Sequence, residues 1–300
     1  MHKQNYKLII ISLILTFFCC LIKIQVTPSW FNGTLERNHY LLMSFMYTNN
    51  EQSRLLQFII PNTFFRVFNL SIPYSYLAQR FLFQFLTFIC FYKFNEEWLS
   101  KKQNILSLIS LALLTAASFK NHLQESATLL SLCFLLVLWS IRTKKDYLFI
   151  IFLFIGSLNN ETILFTPCVY FIVNVKNANW NHILPLALKT ILLSMPAILA
   201  TGVIRWITRD NPHLGGAFHL FHNLTDIYQP LVLLNIFWLI PFTYFNRLPD
   251  YFKRCLIAIP FFIIPHLITG IISETRQMIP LCFVLLPASL MHLSKFEDKL

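Results

Sequence analysis

Residues 147–175, YLFIIFLFIGSLNNETILFTPCVYFIVNV, decide how the rest of the chain can be arranged. This stretch is either one long apolar helix or two short helices that turn at Asn159-Asn160, where polar residues interrupt the run. A helix that crosses a bilayer needs about 20 mostly apolar residues, so the whole stretch is long for one span and each half is short. The direction of every later segment depends on which alternative holds.

The composition of the full chain indicates a membrane protein. Of its 300 residues, 56% are hydrophobic and only 12% are charged. An ordinary soluble domain carries about 25% charged residues, so this chain has too few charges to cover a water-facing surface. The composition excludes a soluble enzyme, a disordered tail, a collagen-like chain and a disulfide-stapled secreted module, and it leaves a polytopic membrane protein. The seven cysteines lie in apolar runs without ligand spacing, so we expect no metal site and no disulfide framework.

The distribution of apolar runs predicts an all-α, polytopic transmembrane helix bundle of about ten membrane segments, including a short helical hairpin. We expect one integral membrane domain over residues 1–300, with a first outer loop at 27–73 and a second at 205–229. The N-terminal run is expected to be an uncleaved first span, because no small-residue cleavage site follows it. The predicted segments are 8–26, 74–93, 105–119, 122–141, 147–158, 161–175, 183–204, 230–246, 254–271 and 277–293.

The positions of lysine and arginine favour the hairpin over the single span. With a cytoplasmic N-terminus and a hairpin at 147–175, inner segments hold 14 Lys and Arg residues and outer segments hold 7. With a single span the split becomes 11 and 10, and the usual excess on the cytoplasmic side disappears. We therefore expect both termini in the cytoplasm. The net charge of +11 is then explained by a basic face next to anionic lipid, and no nucleic-acid partner is needed.

The acids that this topology places outside are the candidates for a functional site. Glu36 lies in a predicted interfacial helix of the first outer loop, where it is either a general base or a first-turn carboxylate that favours the helix dipole. Glu125 is open to the same two interpretations at the start of segment 122–141. Glu161, at the hairpin tip, needs a partner or a water-filled cavity, because an ionisable group among packed helices is costly.

Cations on the same side could bind an anionic group. Arg276 follows Glu274 at the start of the last segment, where a cation is disfavoured by the helix dipole and needs an anion such as Glu274, Glu161 or a ligand phosphate. Arg205 and Arg209 lie one turn apart at a helix C-terminus, where cations are favoured, and they are a second possible phosphate contact. Lys189 is expected near the membrane midplane, whereas Lys23 and Arg80 are close enough to helix ends to reach water.

Three stretches together resemble GT-C-like polytopic bacterial membrane proteins. They are Arg54-Leu-Leu-Gln-Phe-Ile-Ile-Pro61 with the following run to Phe91, Gly156-Ser-Leu-Asn-Asn-Glu-Thr162, and Glu274-Thr-Arg-Gln-Met-Ile-Pro-Leu281. The resemblance covers roughly residues 8–293 and rests on short motifs. It implies a glycosyltransferase that takes a sugar from a lipid-phosphate donor on the outer face, with an essential acid in the first outer loop. Glu36 matches that acid, although the family more often has Asp there. Glu161, Glu274 and Arg276 match the other two motifs.

The resemblance therefore implies Glu36 and Glu161 as catalytic residues and a bacterial inner-membrane location. Substrate contacts are expected from five residues: Arg276, Glu274, Arg205, Arg209 and Glu125. Membrane lipid and a polyprenyl-phosphate-linked sugar are the expected partners, and no cofactor is expected. The alternative is a transporter, or a non-catalytic membrane subunit of an envelope polysaccharide or lipid system. An enzyme predicts that the outer acids share one cavity, whereas a structural subunit predicts that they are scattered.

Overall fold

A computed structural model of the chain describes residues 2–120, 123, 125–175, 179–212 and 218–297, with side chains described from residue 6 to residue 292. The predicted all-α fold is confirmed, because these residues form helices, turns and irregular segments and no strand. The α-helices, numbered α1 to α15, are His2–Val26, Thr34–Met43, Asn49–Gln52, Leu55–Phe68, Ile72–Asn95, Lys101–Ala117, Ser126–Arg142, Asp146–Asn159, Thr166–Asn174, Trp180–Ile207, Leu220–Asp226, Tyr228–Leu234, Ile240–Thr243, Asp250–Thr269 and Ile279–Glu297.

The chain doubles back at Asn159-Asn160, as the charge distribution predicts. Helix α8 ends at Asn159, a 3-10 turn covers Glu161–Phe165, and α9 returns beside α8. The Tyr170 hydroxyl donates a hydrogen bond of 2.8 Å to Asp146. In a continuous helix these residues, 24 positions apart, would be separated by about 36 Å. Residues 147–175 are therefore a hairpin and not a single long helix.

Polar side chains at the turn hold the hairpin closed. Asn160 caps the 3-10 turn by accepting a hydrogen bond from the Thr162 amide at 3.0 Å. The Asn159 side chain is fully buried and donates to the Ser126 carbonyl at 2.6 Å. Asn160 thus satisfies a backbone amide that the start of a helical turn leaves without a partner, and Asn159 ties the turn to the start of α7. The hairpin turn therefore packs against the first residue of α7, Ser126.

The helices run between two polar ends of the bundle. We call the end with Glu161, Arg205 and Glu274 the tip end, and the end with Lys93, Arg142 and Arg254 the basic end. At the basic end Arg142 donates to the Phe94 carbonyl at 2.9 Å and pairs with Glu97 at 3.1 Å. Arg254 there donates to backbone carbonyls at the end of α9. Residues that the sequence assigns to the cytoplasmic side thus meet at one end, and most candidate site residues lie at the other.

Three helices are long and apolar enough to cross a membrane by length and composition: Tyr6–Val26, Trp180–Ile207 and Asp250–Thr269. A fourth candidate is the pair Leu55–Phe68 and Ile72–Asn95, which is bent by 112°. This number is smaller than the ten predicted segments, because α6, α7, α8 and α9 are each shorter than 18 residues and residues 228–247 form only short helices. Large apolar side chains such as Leu192 (70% exposed) cover the outside of α10, as expected for a lipid-facing helix.

The prediction of one continuous helix over 230–246 is wrong. The structure divides residues 228–247 into α12, a 3-10 turn, α13 and a second 3-10 turn. Asn235 adopts a left-handed φ of 50°, and Pro241 follows at the start of α13. A non-glycine residue with positive φ interrupts a right-handed helix, and proline lacks the amide hydrogen that continues one.

Lys189 does not lie at the middle of the bundle, contrary to the sequence-based expectation. Its ammonium group is 2.6 Å from Asp146, the first residue of α8. Helix α10 has 28 residues and α8 has 14, so the third turn of α10 is level with the beginning of its shorter neighbour. The lysine is half-exposed and paired near the basic end.

The first outer segment contains more helix than the sequence predicts. Helix α2 forms at Thr34–Met43 with Leu35 and Leu42 buried, as the predicted interfacial helix requires. Two more helices, α3 and α4, then precede α5. Helix α4 is apolar, yet a left-handed Asn69 and the sharp bend before α5 separate it from the longer helix. This segment brings Asn49, Asn50, Glu51 and Arg54 to the tip end.

Candidate functional site

An open cavity of about 470 Å³ lies at the tip end. Its walls come from five separate parts of the sequence: residues 50–54, the hairpin tip, the end of α10, His219, and the segment from His266 to Gln277. We call this space the rim cavity. The lining residues are Asn50, Glu51, Arg54, Glu161, Thr162, Phe165, Arg205, His219, His266, Thr269, Gly270, Ile271, Glu274 and Gln277.

Glu161 sits between two guanidinium groups of the rim cavity. Arg205 binds its carboxylate at 2.6 Å, and Arg54 lies 4.0 Å from the same oxygen. The predicted need for a partner at the hairpin tip is therefore met by two arginines on other elements. With both cations beside it, Glu161 is better suited to orient Arg54 and Arg205 than to accept a proton.

Glu274 lines the same cavity and belongs to the segment between α14 and α15. Its carboxylate accepts hydrogen bonds from Arg276 at 3.1 Å and from the Gln277 side chain at 2.7 Å. Burial raises the pKa of the Glu274 carboxyl, but the charges of Arg276 and Arg54 outweigh burial and hold this pKa below its ordinary value. Glu274 is thus a fixed anion that positions Arg276, the residue for which the sequence predicts an anionic partner.

Helix α3 is docked onto the end of α10, and this docking brings Glu51 into the cavity. The Asn49 side chain donates to the Thr208 carbonyl, and the Asn49 amide donates to the Pro212 carbonyl at 2.9 Å. Arg205 also donates to the side-chain oxygens of Asn49 and Asn50. Glu51, half-buried, is therefore the acid that the first outer segment contributes to the rim cavity.

Glu36 and Arg209 are not among the residues that line the rim cavity. Glu36 lies in the first turn of α2, where the helix-dipole interpretation accounts for it. Arg209 is exposed, 3.6 Å from Asp210, and its guanidinium covers the Trp206 ring. Of the predicted site residues, the structure brings Glu161, Glu274 and Arg205 to one cavity and holds Arg276 against Glu274.

Glu125 belongs to a different, buried cluster. Its side chain is fully buried and pairs with Arg80 at 2.6 Å and with Lys23 at 3.5 Å. The expectation that Lys23 and Arg80 reach water is wrong, since both are at most 3% exposed. They stay inside because Glu125 supplies a buried counter-charge there, which repays part of the cost of desolvation. Glu125 is therefore separated from the residues that line the rim cavity.

Sequence reasoning missed Glu51, Arg54 and His266. His266 is buried in α14 and lines the cavity, where its Nδ1 lies 2.9 Å from the Phe262 carbonyl. A histidine inside an apolar span is a candidate functional residue by itself, so this signal was present in the sequence. Glu51 and Arg54 lie in a stretch too short to show helical periodicity, and the docking of α3 on α10 was needed to find them. Among the described residues, no group of three or more His, Cys, Asp or Glu side chains could hold a metal ion.

Comparison of the chain with models of protein families, with curated proteins and with solved structures finds no match. The case for a function therefore rests on the geometry of the rim cavity and on the sequence motifs.

Proposed function

We propose that the protein is an integral membrane glycosyltransferase of the GT-C type, and that it takes a sugar from a lipid-phosphate donor bound in the rim cavity. One observation carries the proposal: guanidinium groups and carboxylates from four distant parts of the chain meet in one open cavity. Its volume of about 470 Å³ is within the range of small-molecule sites, which is about 300–1,000 Å³. The motif resemblance adds support, because Glu161 and Glu274 both come from the matched stretches.

The cations would bind the donor phosphate. The planar fork of arginine matches phosphate oxygens in a bidentate geometry, and Arg54 and Arg205 both line the cavity. Glu161 holds both of them in place through its ion pairs. As the sugar leaves, negative charge develops on the phosphate, and preorganised guanidinium groups stabilise that charge without further reorganisation.

A carboxylate would activate the acceptor. The acceptor hydroxyl oxygen bonds to the anomeric carbon, the bond from this carbon to the phosphate oxygen breaks, and the hydroxyl proton goes to the carboxylate. The donor leaves as polyprenyl phosphate. We assign the base to Glu51, in place of Glu36, because Glu51 is the first-outer-segment acid that lines the cavity. Glu161 and Glu274 are then positioning residues for Arg54, Arg205 and Arg276.

The shared cavity supports an enzyme over a structural subunit with scattered acids. The pairing of Lys189 with Asp146 near the basic end argues against a transporter, since Lys189 was the charge expected near the midplane. Transport chemistry usually places ionisable groups near the midplane of related repeats.

We further propose ten membrane segments in a bacterial inner membrane, with both termini in the cytoplasm. The support is the alternation of direction between the basic end and the tip end. Lys7 lines a pocket with Lys101, whereas Lys23 and Lys120 meet at the other end, so α1 and α6 both run toward the tip. The hairpin adds two short passes, and the broken segment 228–247 adds one more. The short helices are surrounded by longer ones, which relaxes the length that a lipid-exposed span requires.

The test of the proposed function compares two acids of the same outer segment. Purified protein in proteoliposomes is incubated with a panel of polyprenyl-phosphate-linked hexoses and amino sugars and with membrane-lipid extract as acceptor. Release of polyprenyl phosphate is measured by mass spectrometry. We expect Glu51→Gln to reduce release at least about 100-fold, the usual contribution of a general base, and Glu36→Gln to retain most of it.

Two results would contradict this assignment. Full activity of Glu51→Gln together with loss in Glu36→Gln would return the base to Glu36. Absence of polyprenyl phosphate release from the wild-type protein with every donor in the panel would reject the transferase itself.

A further inference from the structure

A second, much smaller cavity lies inside the bundle, beneath the tip end. Its volume is about 20 Å³, enough for one occupant of the size of a water molecule. The basic side chains around it are Lys23, Arg80, Lys120 and Arg276, and the neutral polar ones are Gln84, Thr87, Thr115, Ser118, Thr128 and Ser131. We call it the inner cavity. It shares no lining residue with the rim cavity.

Positive charge exceeds negative charge around the inner cavity. Glu125 pairs with Lys23 and Arg80, and Glu274 pairs with Arg276. Lys120 donates to two neutral groups, the Gln229 side-chain oxygen at 2.8 Å and the Ser273 carbonyl at 2.6 Å. The described residues that line the inner cavity therefore include four cations and no acid, and Glu125 and Glu274 pair with three of these cations from outside the lining. A buried excess of positive charge is costly unless an anion compensates it.

Buried hydrogen-bond donors in the wall of the inner cavity also indicate that an anion occupies it. In the part of the chain that the structure describes, Arg80 Nε and Nη1 and the hydroxyls of Thr115 and Thr128 are buried without a hydrogen-bond partner. Arg80 is 3% exposed, Thr128 4% and Thr115 7%. Native proteins leave few buried polar groups unsatisfied, because each one costs about 1–3 kcal/mol. All three residues line the inner cavity.

We propose that the inner cavity binds a single halide ion, with chloride as the physiological occupant. The excess of positive charge selects an anion over a cation, and the volume excludes phosphate, sulfate and carboxylates. Donors from Arg80, Thr115 and Thr128 would replace the hydration shell of the ion. This site goes beyond the proposed transferase activity and does not depend on it. The bound ion would lock α5, α6 and α7 together beneath the rim cavity.

The test is the anion dependence of thermal stability. Purified full-length protein in detergent is unfolded at constant ionic strength while sodium gluconate is replaced stepwise by sodium chloride or sodium bromide. We expect a saturable rise in Tm, on the order of 2–4 °C, with both halides. Sodium sulfate at the same ionic strength is expected to give no saturable rise in Tm, and only the gradual increase that an excluded salt causes.

Hydroxyl-deleting variants locate the ion. Thr115→Val with Thr128→Val keeps the shape of the wall and every ion pair but removes two donors. We expect the chloride concentration that gives half of the Tm rise to increase about tenfold, because hydrogen bonds to a charged group are strong. The matched control is Thr190→Val, which removes a similarly buried hydroxyl of α10 that donates to its own helix. This control is expected to retain the wild-type chloride response.

The outcomes separate halide from water. Equal Tm values in gluconate, chloride and bromide would mean that the cavity holds a water molecule only, and would overturn the proposal. A wild-type chloride response in the double threonine variant would place the responding anion elsewhere and would equally overturn it. Bromide anomalous scattering at the centre of the Arg80–Thr115–Thr128 wall would establish it directly.

Discussion

Single carboxylates at the tip end are held by guanidinium groups from distant parts of the chain. Glu161 meets Arg205 and Arg54, and Glu274 meets Arg276. A carboxylate beside apolar helices would otherwise favour its neutral form, because burial penalises the charged one. The arginines therefore keep both carboxylates in the charged form at the edge of the cavity. The result is a site that is polar and fixed before a ligand arrives.

The pairing of Glu274 predicts a contribution to stability that depends on pH. Its pKa in the folded protein lies below the ordinary value of 4.5. A carboxyl with a lowered pKa stabilises the fold above the pKa of the unfolded chain, and this stabilisation is lost as the pH falls toward the folded value. We expect the loss of Tm between about pH 5 and about pH 3 to be smaller in Glu274→Gln than in the wild type.

The control for this measurement is an acid of the basic end. Glu96 pairs with Lys93 at 2.9 Å, but its side chain is more than a third exposed, and exposed pairs contribute little to stability. Glu96→Gln should therefore follow the wild-type pH profile. If Glu274→Gln loses Tm in acid as steeply as the wild type does, Arg276 and Arg54 do not stabilise the charged form of Glu274.

At the scale of elements, the hairpin α8–α9 is the feature that the sequence predicted best. Its turn was marked by Asn159-Asn160, and its presence restored the excess of positive charge on one side. The break within 228–247 was missed, although Pro241 in the interior of the predicted segment 230–246 was a signal for it; the left-handed Asn235 carries no distinct sequence signal. Helix α3 was missed because four residues are too few to show a period.

Close packing at Gly156 gives a prediction for the hairpin. A methyl group on this residue would collide with the Ile163 Cδ1 atom and lie 3.2 Å from the Cys133 Cβ atom. Gly156→Ala should therefore destabilise the protein by about 1–3 kcal/mol, the usual cost of overpacking, with a lower midpoint of chemical unfolding. The collision would push the Ile163 side chain of the 3-10 turn away from α8.

Helix α10 offers the matched substitution. A methyl group at Gly202 would meet no atom within 4 Å. Gly202→Ala should raise the midpoint, because alanine favours a helix interior over glycine by about 0.8–1.0 kcal/mol. Equal effects of the two substitutions would show that backbone propensity, and not contact with Ile163, determines the response at Gly156.

At the scale of the whole molecule, alternation between two polar ends predicts which residues are reached from each side of the membrane. We expect single cysteines in place of Lys3, Lys144 and Lys299, in a cysteine-free background, to react with an impermeant maleimide from the cytoplasmic side. Cysteines in place of Arg37 and Arg209 should react from the outside. The physical reason is the excess of Lys and Arg on inner segments.

Reaction of positions 3 and 299 from opposite sides would remove one pass from the proposed topology. The rim cavity would then have to be assigned to another side, together with the chemistry proposed for it. Lys299 lies outside the described residues, so its side of the membrane is a prediction from sequence alone.

The candidate site was predictable only in part. Glu161, Glu274, Arg205 and Arg276 could be found because each stands at the outer end of an apolar run, where a charge needs a local reason. Glu36 was chosen over Glu51 because the family resemblance and helical periodicity both drew attention to α2. Which of two outer acids enters the cavity depends on the hydrogen bonds of Asn49 to Thr208, more than 150 residues away, and no local pattern reports such a contact.

The distribution of the rim-cavity residues along the chain has a consequence for biosynthesis. The ribosome releases the four charged lining residues at widely separated times: Glu51, Glu161, Arg205 and Glu274. The last segment of the lining is complete only when the chain has been made up to Gln277. A nascent chain that stops after α10 would leave Arg205 and Glu161 facing a site with one side missing. The rim cavity therefore has all of its walls only after the chain has been translated past Gln277.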